Sequence, residues 1–240
     1  MNGIHTVTLA TSKPDSLTPK MILFADWLIP MGFVPDSLVQ FLPEENGMSF
    51  TLCENIPKYS ALAQATRAQG GTFAKIHLYK YRINASLGIS GTILQKIGLA
   101  CGDTMLVRYE FGFIQMRKLP GNTRVVTARL FGHWLEDLGF SAGESLTVDS
   151  SPNLITCQLH ENGLARTHEL VKFARQNKLN LLQVAAQKDN NDAPNFTIPI
   201  PRLEKAGFSP SDSFLATCEH GSIILQPINF EALGFNGATH

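Results

Sequence analysis

Apolar and polar positions from Val125 to Leu159 predict a strand, one short helix and a β-hairpin, and the chain repeats this pattern four times. The helix is short because Gly139 ends it. Glycine just past a helix end takes the left-handed conformation cheaply, and the next residue, Phe140, then folds back onto Leu135. The same pairing recurs as Leu28 with Gly32 and Phe33, Leu94 with Gly98 and Leu99, and Leu203 with Gly207 and Phe208. Each glycine is followed by an acid, a Ser or Thr and an apolar residue: Asp36-Ser37-Leu38, Asp103-Thr104-Met105, Glu144-Ser145-Leu146 and Asp212-Ser213-Phe214. An alternating run, a turn and a last strand complete the unit. Four such matches make a repeat.

The four glycines stand 66, 41 and 68 residues apart. Long, short, long spacing predicts two homologous halves, 1–121 and 122–240, each holding two β-α-β-β units. Both long gaps hold a helix-like insert, Lys58 to Gly70 and Leu164 to Lys178. In the first half a leading strand, His5 to Leu9, precedes repeat one, which opens at Met21 to Trp27. Its hairpin runs through Leu38–Leu42 and Met48–Cys53, with Asn46-Gly47 as the turn signal. Thr72 to Asn84, rich in β-branched and aromatic residues, predicts a strand, and repeat two follows from Leu87 to Leu119. Pro120-Gly121-Asn122 marks the boundary between halves. Repeat four, Phe196 to Ile228, starts with Pro199 and Pro201, which confine that strand to an edge or break it. The last ten residues are expected to fray. The fold class expected is mixed α+β and β-rich, in two tandem domains.

Composition narrows this further. Hydrophobic residues make up 44% of the 240, enough for a core in each half, and charged residues only 17%, which argues against a disordered chain. No apolar run reaches the roughly 18 residues of a membrane helix, so no membrane partner is expected. The N-terminal stretch lacks the apolar core of a secretion signal, and the cytoplasm is the expected compartment. Cys53, Cys101, Cys157 and Cys218 show no CxxC spacing and read as reduced thiols. No phosphate-binding glycine loop, metal-ligand cluster or nucleophile motif occurs, so no cofactor, metal or catalytic residue is expected.

Zero net charge hides an asymmetry. The first half carries 11 Lys+Arg against 8 Asp+Glu, the second 9 against 12. Asn55 to Gly102 contains no acid but six cations: Lys58, Arg67, Lys75, Lys80, Arg82 and Lys96. Within it, Lys75 to Arg82 interleaves cations with aromatics. On one strand Lys75, His77, Tyr79 and Tyr81 share a face, and Ile76, Leu78, Lys80 and Arg82 share the other. Tyrosines beside cations can stack on bases while the cations meet phosphates. A half-buried strand with one solvated face gives the same pattern. The candidate nucleic-acid residues are Lys75, His77, Tyr79, Lys80 and Arg82, with Lys58 and Arg67 from the same acid-free stretch. Histidine is the residue type an RNA-cleaving acid/base pair needs, but nothing in the sequence brings two of His77, His133 and His160 together. Trp27 and Trp134 read as core residues, and Phe111-Gly112-Phe113 as a hairpin packing feature.

Leu130 to Val148, LFGHWLEDLGFSAGESLTV, resembles the signature of the SymE toxin-like family: a Gly, a Trp-Leu-Glu helix, Gly-Phe, a Gly-acid pair and a strand. Residues 200–217 are similar without the tryptophan. ADWLIPMGFVPDSLVQF reads as one residue shorter after its glycine, and TILQKIGLACGDTMLVRY lacks both Trp and Phe. The resemblance covers about 35 residues in each of four places and implies a fold related to the AbrB/MazE swapped-hairpin barrel. Each half then supplies both units of one barrel, and exchanging hairpins pairs edges that a single unit leaves open. Relatives of this fold bind nucleic acid through basic residues, and the family is associated with RNA cleavage and DNA binding. Because this chain is neutral, RNA or DNA binding is expected on its first half. A protein partner held through the acidic second half, as for an antitoxin, immunity or inhibitor protein, is the alternative. A ribonuclease toxin is the third.

Overall fold

A computed structural model describes residues 3–11, 18–53, 59–78, 85–89, 91–160, 168–187 and 192–235. It is mixed α+β, strand-rich and built from antiparallel sheets. The chain divides into two compact units. One runs up to Gly121 and also takes the segment from Phe230; the other is Asn122–Asn229.

The first unit contains β1 (Gly3–Thr8), β2 (Ala10–Thr11), β3 (Pro19–Phe24), β4 (Leu38–Glu44), β5 (Gly47–Leu52), α1 (Tyr59–Ala68), β6 (Thr72–Lys75), β7 (His77–Leu78), β8 (Ala85–Ile89), α2 (Gly91–Lys96), β9 (Thr104–Glu110) and β10 (Phe113–Lys118). Its large sheet has the order β1-β9-β10-β5-β4-β6, and its small sheet β2-β3-β8-β7. The second unit contains β11 (Thr123–Val126), β12 (Arg129–Phe131), α3 (Trp134–Asp137), β13 (Ser145–Ser151), β14 (Leu154–Leu159), α4 (His168–Gln176), β15 (Asn180–Gln183), β16 (Ala185–Gln187), β17 (Ala193–Thr197), α5 (Ile200–Ala206), β18 (Phe214–Glu219) and β19 (Ser222–Pro227). Its sheets have the orders β11-β18-β19-β14-β13-β15 and β12-β17-β16. The large sheets match strand for strand, so the duplication read from the spacing is present in the topology.

The registers show a second symmetry inside each unit. A shift of 66 residues carries Met48 onto Ile114 and Phe50 onto Met116. The β5–β10 ladder pairs Met48 with Met116 and Phe50 with Ile114, with Ser49 opposite Gln115 between them. Exchanging the repeats therefore maps the ladder onto itself about an approximate twofold axis through Ser49 and Gln115. In the second unit the matching pairs are Ile155 with Leu225 and Cys157 with Ile223, centred on Thr156 opposite Ile224.

Pairing is also reciprocal. β1, which precedes repeat one, pairs with β9 of repeat two, and β6, which precedes repeat two, pairs with β4 of repeat one. Both strands then leave the large sheet at one buried residue and continue in the small one. At the first crossing Leu9 N–H donates to Asp103 and Gly102 N–H to the Leu9 carbonyl; at the second, Ile76 N–H donates to Ser37 and Asp36 N–H to Ile76. Val184 repeats the arrangement with Glu144 and Gly143. Strands that switch sheets at a bend turn the corner of packed sheets, and the core fills the space between. In the first unit that core includes Leu23, Phe33, Phe41, Phe50, Ile76, Val107 and Ile114.

Here the structure corrects several expectations. The large sheets end in β1 and β6 or in β11 and β15, so neither unit closes into a barrel among the described residues. The chain carries those edge strands into a second sheet instead of joining them to each other. Asp36, at φ +68, takes the place of Gly143, at φ +95, in the crossing bonds. The counterpart of Leu146 is therefore Val39 and not Leu38, and no residue is missing after Gly32. Residues 26–32 form turns only, and α3 spans four residues. The first hairpin loop is Glu45-Asn46, with Gly47 already paired to Glu44, because Asn46 itself supplies the positive φ. Pro199 and Pro201 lie outside any strand. Pro199 caps α5 and Pro201 occupies its first turn, where the missing N–H costs nothing.

The left-handed glycine turn is seen four times, after a helix at Gly98, Gly139 and Gly207 and after turns alone at Gly32. Gly32, Gly98, Gly139 and Gly207 have φ of +88, +77, +88 and +80. At each, the next residue's N–H returns to the carbonyl five positions back: Phe33 to Leu28, Leu99 to Leu94, Phe140 to Leu135 and Phe208 to Leu203. The glycine N–H returns three positions back, which completes a Schellman motif. A Cβ at Gly207 would meet nothing within 4 Å, whereas one at Gly139 would sit 3.0 Å from Cε1 of His220. Gly207→Val should therefore cost about 1–2 kcal/mol from backbone strain alone, and Gly139→Val at least as much. Urea unfolding measures both. Wild-type stability in either variant would contradict the strain.

Candidate nucleic-acid interface

The expected basic strand is divided between two sheets. Lys75 is the last residue of β6, pairs with Leu38 at the edge of the large sheet, and is exposed. Ile76 is buried at the crossing. His77 opens β7 at the edge of the small sheet, opposite Ser86, whose hydroxyl donates to the His77 carbonyl at 3.1 Å. Lys75 and His77 thus sit on two edge strands and do not share one pleated face. The apolar crossing residue breaks the alternation that a single strand requires. Tyr79, Lys80, Arg82 and Lys58 lie outside the described residues.

Arg67 is exposed in the last turn of α1. The helix is held on β4 by Thr66, whose hydroxyl donates to the Leu62 carbonyl at 2.7 Å and accepts from Gln40 at 2.8 Å. Gly70 at φ +75 stops it, with Gly71 N–H returning to Thr66. The insert therefore fixes where Arg67 stands.

Charge pairing sorts the cations of this unit. Arg117 pairs with Glu44 at 2.5 Å and Lys118 with Asp103 at 2.8 Å. Lys20, Arg67, Lys75 and Lys96 are exposed and make no ion pair among the described residues. The fold also brings Asp36 to the acid-free stretch, since this exposed residue hydrogen-bonds through its N–H to Ile76 beside Lys75.

The other singled-out residues are structural. Trp27 stacks on Tyr109 at 4.0 Å, and Trp134 donates to the Phe131 carbonyl at 2.9 Å beneath Arg124; both are half-buried against their cores. His133 has an acidic neighbour, Glu136 at 3.3 Å, with both side chains exposed. His160 bonds to Thr147 at 3.1 Å and stands edge-on to Phe173. Among the described residues no hydrogen bond or ring contact joins two of His77, His133 and His160. Burial pushes the thiols of Cys53, Cys157 and Cys218 up, so none of them is a ready thiolate. Among the described residues no His, Cys, Asp or Glu cluster could hold a metal ion, and no helix is long and apolar enough to cross a membrane.

Two features escaped the sequence. Phe111 is 65% exposed, beside Gly32 at the hairpin tip, and with Ile29 and Val34 it adds to the exposed apolar surface of this unit. Arg117, only 6% exposed, donates to the carbonyls of Gly234 and Glu45 besides pairing with Glu44. Of the last ten residues, expected to fray, 231–235 belong to a turn docked on it, and 236–240 lie outside the described residues. A second Leu-Gly-Phe, at Leu233-Gly234-Phe235 after the one at Leu138-Gly139-Phe140, was the available signal.

No protein-family model matches the chain, and no curated protein does either. Among solved structures, a Helicobacter pylori beta clamp bound to a DNA ligase peptide is 10% identical, with 90% of this chain and 67% of that one aligned and a TM-score of 0.13. The Pseudomonas aeruginosa DnaN sliding clamp bound to griselimycin is 11% identical over 92% and 69%, with a TM-score of 0.12. Overlaps this low carry no argument about fold or function.

Proposed function

We propose that the chain is a macromolecule-binding module of the SymE/AbrB swapped-hairpin kind whose first unit binds RNA or DNA. The reciprocal pairing of β1 with β9 and of β6 with β4 supports the swapped-hairpin reading, with the exchange made between repeats of one chain. The observation that carries nucleic acid is the set of exposed cations, Lys20, Arg67, Lys75 and Lys96, without an ion pair among the described residues. Free surface cations release counterions from phosphates, whereas paired ones such as Lys118 have that charge already met. The reduced thiols of Cys53, Cys157 and Cys218 suit a reducing compartment, the cytoplasm. Mobility shifts with RNA and DNA over a salt series test the reading. Lys75→Ala should lower the salt slope by roughly one unit, and Lys118→Ala should leave it nearly unchanged. Failure of the wild-type chain to shift either nucleic acid at low salt would overturn it.

A protein partner is the second reading, and the exposed Phe111 with Ile29 and Val34 favours it. Contiguous exposed apolar surface marks interaction sites. That surface lies in the first unit, so a partner held there does not depend on the acidic second half.

A further inference from the structure

Phe230–Phe235 forms a strap on the first unit. Its turn is closed by its own bonds: Gly234 N–H to Glu231 at 2.9 Å and Phe235 N–H to Phe230 at 2.8 Å, with Gly234 at φ +75. The two rings meet edge-on at 5.5 Å. The strap is held by Arg117, whose Nε and Nη2 both donate to the Gly234 carbonyl, at 2.8 and 2.5 Å. Arg108 lies 5.5 Å from the Phe230 ring, and Phe235 is 3% exposed. A cavity of about 360 Å³ remains between Asn46, Lys118 and Pro120 on one wall and Ala232 and Leu233 of the strap on the other.

We propose that this groove is an exchange site, which takes Phe230–Phe235 from a second copy of the chain in place of its own and so joins two chains. Three observations carry this. Arg117 grips the strap through the Gly234 carbonyl, and the strap belongs to no strand ladder among the described residues, so it can leave without breaking a sheet. It closes its own turn, so little ordering entropy is lost when it docks again elsewhere. Only Ile228 and Asn229 separate it from the end of β19, and short connections of this kind favour exchange between copies. Contacts made between chains repeat those made within one, so the difference is the loss of free translation against an effective concentration in the millimolar range.

Complementation tests it on full-length chains. Arg117→Lys keeps the ion pair with Glu44 but removes the fork on Gly234, leaving a sound strap and a poor groove. Phe235→Ala leaves a sound groove and a poor strap. Light scattering should find each variant alone monomeric and the mixture paired, at a concentration about tenfold or more below that at which wild type pairs. A mixture that stays monomeric up to the millimolar range would overturn the proposal. If either variant loses its circular dichroism, the wild-type chain is titrated with a labelled peptide of residues 228–236. Binding that disappears when the peptide's Phe235 is replaced by Ala supports exchange; no binding at millimolar peptide overturns it.

Discussion

Phe33→Ala is expected to destabilise the first unit by about 3–5 kcal/mol and Phe140→Ala the second by as much, each leaving the other unit's transition in place. Both rings are fully buried at the residue after a stop glycine, where the returning N–H fixes the backbone and the side chain fills its own unit's core. Truncation removes the buried area and leaves a cavity that a backbone held by two hydrogen bonds cannot collapse into. Each unit holds one tryptophan, Trp27 or Trp134, packed against its core. Urea unfolding read by fluorescence in Trp134→Phe and Trp27→Phe backgrounds therefore reports the units separately. The midpoint of the affected unit should fall by about 1–3 M. Equal shifts of both transitions would show that the units do not unfold independently.

Arg117→Ala is expected to cost about 3 kcal/mol in the first unit. Truncation strands the Glu44 carboxylate, left with the 2.7 Å bond from Gln115, and removes the donor from the Gly234 and Glu45 carbonyls. Breaking a buried pair costs about 3–5 kcal/mol, and the 23% exposure of the Glu44 side chain places this case at the low end. Arg117→Lys should recover part of the loss, because its ammonium still meets Glu44. Calorimetry separates the two variants. Equal stability of Arg117→Ala and wild type would mean that the strap and the ion pair add nothing to the native state.

Local chemistry was readable in the chain alone. A left-handed glycine followed by an apolar residue needs only a turn of helix to declare itself, so the four stops, their spacing and the two-by-two duplication follow from composition at fixed offsets. Even the acid of the repeat acts locally: Asp103 and Asp212 each accept from the N–H three residues back, at 2.8 and 2.7 Å. What the residues from Thr72 onward do was not local. Alternation cannot reveal that Ile76 leaves one sheet for another, since the bonds that turn it come from Ser37 and Asp36, some forty residues away. That crossing separates Lys75 from His77 and sets Asp36 beside a stretch that contains no acid of its own. The strap shows the same division. Its turn was written in Leu233-Gly234-Phe235, but its place on Arg117, more than a hundred residues earlier, was decided by tertiary structure, because a buried guanidinium requires acceptors from wherever the fold can bring them.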